Sequence, residues 1–104
     1  MNVTVSFSPE ADEHVEQIES WWRENRDKAP NLFQDELSHA VSVLAMGLDV
    51  GRPYRRRGIP GLRRILLPKT RFHVYFVYDR SAGVVLIVEV WGAARGRGPT
   101  FKAR

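Results

Sequence analysis

The chain has 104 residues, 43% hydrophobic and 27% charged, which suffices for one globular domain with a single core and excludes a disordered or fibrous class. Cysteine is absent, which removes disulfide scaffolds, thiolate zinc sites and thiol nucleophiles and fits a reducing, cytoplasmic setting. The net charge of +4 hides a split: residues 1–49 sum to −7 and residues 50–104 to +11, so the basic part is expected to meet an anionic partner unless the two halves only neutralise each other.

Taken in order, Val3, Val5 and Phe7 alternate with Thr4 and Ser6 and predict a short half-buried strand. The opening MNVTVSFSPEADE has no apolar core of the kind a signal peptide needs. Ser8-Pro9 supplies an N-cap and a proline at the first helical position. Glu10, Asp12 and Glu13 then suit the positive end of a helix dipole. Ala11, Val15, Ile18 and Trp22 form one apolar stripe, predicting a helix from Pro9 to about Arg26. The tandem Trp21-Trp22 is expected to pack between helices or onto a sheet.

Asp27-Lys28-Ala29-Pro30 breaks that helix, and Asn31 with Gln34 resembles a capping box opening a second one. Phe33, Leu37, Ala40, Val41 and Leu44 form its buried stripe, and Gly47 is placed to end it in a left-handed conformation. The short connection implies an antiparallel helical hairpin. From Leu48 to Pro60, four glycines and prolines predict a long arginine-rich loop without regular structure.

Three strands follow. Leu62 to Leu67 ends at Pro68, and Arg71 to Tyr78 places Phe72, Val74, Phe76 and Tyr78 on one face and Arg71, His73 and Tyr75 on the other. After the turn Asp79-Arg80-Ser81-Ala82-Gly83, Val84 to Trp91 reads as a central, doubly covered strand. Its longest apolar run, Val84 to Val88, is far too short to cross a bilayer, so no membrane partner is expected. The predicted architecture is a single α+β domain over residues 1–104, ordered βααβββ, with the helices on one face of an antiparallel sheet.

Half of the sixteen Lys and Arg side chains fall between Val50 and Tyr78, a stretch without Asp or Glu. Arg55, Arg56 and Arg57 sit in the loop, Arg63, Arg64 and Arg71 on or beside strands, and Arg95 and Arg97 in the glycine-broken tail. Such a run can be no more than a solvated loop. Arginine, however, dominates over lysine, and its fork suits phosphate and carboxylate. These seven residues other than Arg71 are the candidate set for binding an anionic partner or target. The expectation is that they converge on one exposed patch opposite two acidic helices. His14 and His39 fall on helices as solvent-facing or packing residues, and no HExxH spacing occurs, so no metal or other cofactor is expected.

With these elements on the page, the chain resembles the RelE/ParE superfamily of bacterial toxins from type II toxin–antitoxin pairs. The resemblance rests on the WW pair with the helix FQDELSHAVSVL, on Gly51-Arg52-Pro53, GLRRILL and TRFHVYFVYD, and on the ending VEVWGAARGRGP. It covers nearly the whole chain. It implies a cytoplasmic toxin, of the kind linked to plasmid stabilisation, held in a hetero-oligomer by a cognate antitoxin that wraps its sheet and helices. Family members divide by target. ParE-like toxins poison DNA gyrase, and RelE-like ones cut mRNA in the ribosome.

RNA cleavage needs a base for the 2′-hydroxyl, cations for the phosphate and an acid for the leaving oxygen. His73 and Tyr75 are the candidate proton-transfer groups, with Arg71, Arg63 or Arg64 supplying charge. In the nucleases an arginine sits near the start of the equivalent strand, a place taken here by Arg71 or His73 according to register. They also carry a Tyr or His after the last strand, where this chain reads Trp91-Gly92-Ala93-Ala94-Arg95. That absence favours the ParE-like, gyrase-directed reading over the mRNA endonuclease. A non-toxic nucleic-acid-binding module is a third reading, although the sheet lacks the paired aromatics of an RNA-recognition domain.

Overall fold

The inward alternation of Val3, Val5 and Phe7 builds strand β1 (Thr4–Phe7), the first element of a computed structural model that describes residues 3–94, 98, 99 and 101. Ser8 turns the chain into helix α1 (Pro9–Asn25): its hydroxyl accepts the Ala11 N–H at 3.1 Å and donates to the Val88 carbonyl at 3.2 Å, tying the helix start to the sheet. Helix α2 (Leu32–Ala45) follows. The expected capping box does not form, because Asn31 makes no side-chain cap and the first turn is held by backbone bonds from Leu32 to Ala29 and from Asp35 to Asn31. Gly47 ends the helix at φ 73°, as its position requires.

The arginine-rich loop is less irregular than its glycines and prolines suggest. Arg52–Pro53 form a two-residue strand, β2, paired with Arg64 and Arg63 of β3 (Leu62–Leu67). Proline is tolerated there because β2 is an edge strand. Strands β4 (Phe72–Asp79) and β5 (Val84–Gly92) complete a sheet of order β1-β5-β4-β3-β2. Its last four strands are antiparallel, but β1 runs parallel to β5, with Val5 opposite Val85 and Phe7 opposite Ile87, so the sheet is mixed.

Both predicted helix stripes face the sheet. Ala11, Phe33, Leu37, Ala40 and Leu44 are buried against Val74, Phe76, Val85, Ile87 and Val90, while Trp22 is half-buried at the rim and Phe33 meets Phe72 edge-on at 5.2 Å. Trp21 departs from expectation: it lies one position off the stripe and is 46% exposed. The opposite face carries a smaller apolar cluster of Leu62, Tyr75 and Val88, flanked by Tyr54, Ile59, Val77, Leu86, Trp91 and Phe101. A register shift between Tyr75 and Phe76 leaves Val88 as the extra residue of a β-bulge in β5.

Candidate functional site

Register decides which of the singled-out side chains can meet. Tyr75 stands opposite Arg64 and His73 opposite Leu66, so Arg64, Leu66, His73 and Tyr75 share the face turned away from the helices. Arg63 stands opposite Phe76, a helix-side core residue, and strand alternation puts it on the other face. There it donates to the Gly51 carbonyl at 3.0 Å and pairs with Asp49 at 3.4 Å. Adjacent arginines are thereby separated by the sheet. The expectation that all the arginines converge fails at Arg63, whose role is to pin the β2 loop to β3.

Tyr75 is 1% exposed, packed edge-on between Tyr54 at 5.0 Å and Phe101 at 5.6 Å. Its hydroxyl accepts from Arg64 Nη1 at 3.3 Å. Burial pushes its phenol up, against the lowering effect of Arg64. The arrangement makes Tyr75 a packing residue that orients Arg64, not an exposed proton donor. Arg64 itself lies over the Tyr54 ring at 4.8 Å, which fixes its long side chain along the face.

His73 is half-buried, 6.0 Å from the Tyr75 ring. Desolvation, then the charges of Arg64 and Arg71, hold its imidazole below the ordinary value. A neutral imidazole beside two cations is chemically fit to accept a proton near a phosphate. Arg71 is not on the strand as expected, since β4 begins at Phe72. It closes the β3–β4 turn at φ 65°, the one described non-glycine residue with a positive φ, its N–H bonded to Leu67 and its carbonyl to Ala93.

That turn is held by a residue the sequence reading did not single out. Glu36 reaches from α2 to accept the Lys69 N–H at 2.7 Å, the Thr70 N–H at 3.0 Å and the Thr70 hydroxyl at 2.7 Å. Burial raises its carboxyl, but the Thr70 hydroxyl, the two backbone donors and the Lys69 charge outweigh it and leave the group below the usual carboxylate value. Nothing in a helix stripe distinguishes Glu36 from its solvated neighbours. Glu89 is the second missed residue. At 3% exposure it pairs with His14 Nδ1 from α1 and accepts the N–H of Val90. His14 is thus a partner of a buried carboxylate, and the signal was available: Asp79 and Glu89 are the sole acids in residues 50–104.

Arg55, Arg56 and Arg57 are exposed on the loop, around an open cleft of about 430 Å³ that Tyr54 and Ile59 also line. Arg56 sits 5.6 Å over Phe101, so Phe101 joins this loop to the Tyr75 face. Arg95 and Arg97 lie outside the described residues. Among the described residues no cluster of His, Asp and Glu has the makings of a metal site.

The fold is that of RelE and ParE toxins. A ParDE toxin–antitoxin system from P. aeruginosa superimposes with a TM-score of 0.68 over 86% of this chain and 95% of that one, at 16% identity. The RelBE2 toxin–antitoxin complex of Mycobacterium tuberculosis gives 0.63 at 19% identity, covering 88% of this chain and 99% of that one. A mutant of the E. coli toxin RelE in the free state gives 0.58 at 16% identity, covering 90% and 86%. No curated protein sequence matches the chain. Residues 5–96 match the family described as ParE toxin of the type II toxin–antitoxin system parDE. The chain belongs to that family.

Proposed function

We propose that this toxin is neutralised by a cognate antitoxin and acts by occupying a macromolecular target, with DNA gyrase favoured over ribosome-bound mRNA. The observation that carries the preference is the burial of Tyr75. Of the two proton-transfer candidates, Tyr75 is 1% exposed with its hydroxyl committed to Arg64, which leaves His73 without Tyr75 as its partner acid. Arg55, Arg56, Arg57 and Arg64 are the groups this reading assigns to the target or to acidic antitoxin side chains, whose carboxylates they can grip in forked pairs. Arg95 and Arg97 extend the assignment from sequence alone. That the ParDE and RelBE2 neighbours are toxin–antitoxin systems supports the antitoxin as partner.

The mRNA-endonuclease reading keeps one observation in its favour, the lowered imidazole of His73 between Arg64 and Arg71. Expression without antitoxin separates the two. The gyrase reading expects growth arrest with filamentation and whole messages, inhibition of purified gyrase, and a His73→Ala variant that arrests cells as well as the parent. Cleaved messages from parent cells, lost in His73→Ala, would replace it by the nuclease reading. Harmless overexpression would sink both.

A further inference from the structure

The open face and the loop leave one built feature unused. It is a cleft of about 350 Å³ at the C-terminal end of α1, where Trp21, Trp22 and Arg26 face the β3–β4 turn at Arg71 and Phe72, with Gly92 of β5 beside them. Gly92 has no side chain to fill the space.

Three properties mark it as more than a rim between layers. The first is its charge. Helix α1 is strongly acidic, and the groove on the other side of Trp21 is lined by Glu16 and Glu24. The residues lining the cleft include two arginines and no carboxylate. The second is how those cations are held. Arg26 lies over both indoles, 4.6 Å from the Trp21 ring and 5.6 Å from the Trp22 ring, with Nη1 on the Asn25 carbonyl. Stacking of this kind keeps a guanidinium in place while its remaining N–H groups stay available. The Arg71 guanidinium has no hydrogen-bond or ion-pair partner among the described residues, and its backbone is fixed by two hydrogen bonds in a conformation that non-glycine residues rarely adopt. The third is exposure: Trp21, a large aromatic one position off the apolar stripe of α1, is 46% open to solvent.

Flat aromatic surface next to two guanidinium groups is complementary to a ligand that is planar at one end and anionic at the other. The volume lies at the low end for small-molecule sites, room for one nucleotide unit rather than a long segment. We infer that this cleft is a binding site for a purine nucleoside monophosphate, its base stacked on the Trp21–Arg26 platform and its phosphate bridged by Arg26 and Arg71. The cleft is separate from the antitoxin- and target-binding groups assigned above, except that Arg71 borders both it and His73. A bound nucleotide would also join α1 to the turn that starts β4.

The test is titration calorimetry on the 104-residue chain with AMP, adenosine and inorganic phosphate, alongside tryptophan fluorescence. Saturable one-to-one binding of AMP, accompanied by quenching, is expected. Adenosine and phosphate, each lacking one half of the recognition, should bind at least about tenfold more weakly, since a hydrogen bond to a charged group contributes a factor of this order or more. Trp21→Ala removes an exposed ring without touching the core, and Arg71→Gln removes the second guanidinium charge. Each should weaken AMP about tenfold or more, whereas Arg57→Gln on the distant loop should leave it unchanged. Circular dichroism and thermal melting would verify that both cleft variants are folded. Absence of AMP binding at millimolar concentration overturns the inference. So does equal binding of AMP and phosphate, or loss of affinity in Arg57→Gln with none in Arg71→Gln, which would mean general attraction of anions to the basic half. Binding of an acidic peptide at the cleft without any of AMP would give it to a protein partner instead.

Discussion

Replacing Glu36 by alanine should destabilise the toxin by about 2 kcal/mol, and the reasoning can be followed bond by bond. The carboxylate accepts three hydrogen bonds at 2.7, 3.0 and 2.7 Å, two of them from backbone N–H groups of the β3–β4 turn. A buried hydrogen bond to a charged group contributes about 1.5–3 kcal/mol. Lys69 is exposed and Glu36 only partly covered, so water replaces much of what the variant loses there. Thr70 is 8% exposed, and its hydroxyl and N–H are the donors left without an equivalent partner. For a domain of this size about 2 kcal/mol corresponds to a fall in Tm of roughly 8–16 °C. Glu36→Gln, which keeps an acceptor but loses the charge, should lose about half as much.

The pH dependence gives an independent check. The folded carboxyl lies below its unfolded value, so its stabilisation is fully present above the unfolded value and disappears as pH falls through the folded one. Parent and variant should therefore differ most near neutral pH and converge in acid. Thermal melts of parent, Glu36→Ala and Glu36→Gln from pH 7 to pH 3 measure this directly. A neutral-pH difference below about 2 °C, or one that widens in acid, would refute the claim that Glu36 holds the turn from which Arg71 and His73 are presented.

Three further outcomes are expected. Gly51→Ala should cost about 2–4 kcal/mol in urea unfolding, because φ is +87° and a Cβ would stand 2.9 Å from Phe76 Cζ and 3.1 Å from the Arg64 carbonyl oxygen. Arg64→Gln should raise the His73 titration midpoint toward the ordinary imidazole value, because one of the two cations that oppose protonation is gone; an unmoved midpoint in a histidine NMR titration would contradict the placement of Arg64 on that face. Tyr75→Phe should change stability by less than about 1 kcal/mol, since its one hydrogen bond is long at 3.3 Å, and should leave growth arrest intact, as read by chemical denaturation and by plating without antitoxin.

The elements and their buried sides were legible because they depend on local chemistry. Ser8-Pro9 starts a helix, Gly47 ends one, and the stripes Ala11–Val15–Ile18–Trp22 and Phe33–Leu37–Ala40–Leu44 turn toward the apolar face of the sheet. Alternation along β4 likewise separated Phe72, Val74 and Phe76 from His73 and Tyr75 before any register was known. What the sequence could not supply was anything set by pairing across the sheet. Arg63 and Arg64 are neighbours in the chain, yet the pleat sends one to Asp49 on the helix side and the other to Tyr54 and Tyr75 on the open side. Tyr75 looked available for chemistry until Tyr54 and Phe101, distant in sequence, closed over it. Glu36 and Glu89 acquired their roles from partners more than thirty and seventy positions away, Thr70 and His14. Propensity and periodicity are short-range properties and fix the parts. Which charged groups meet, and which are kept apart, is decided by long-range contacts that exist only once the sheet has closed.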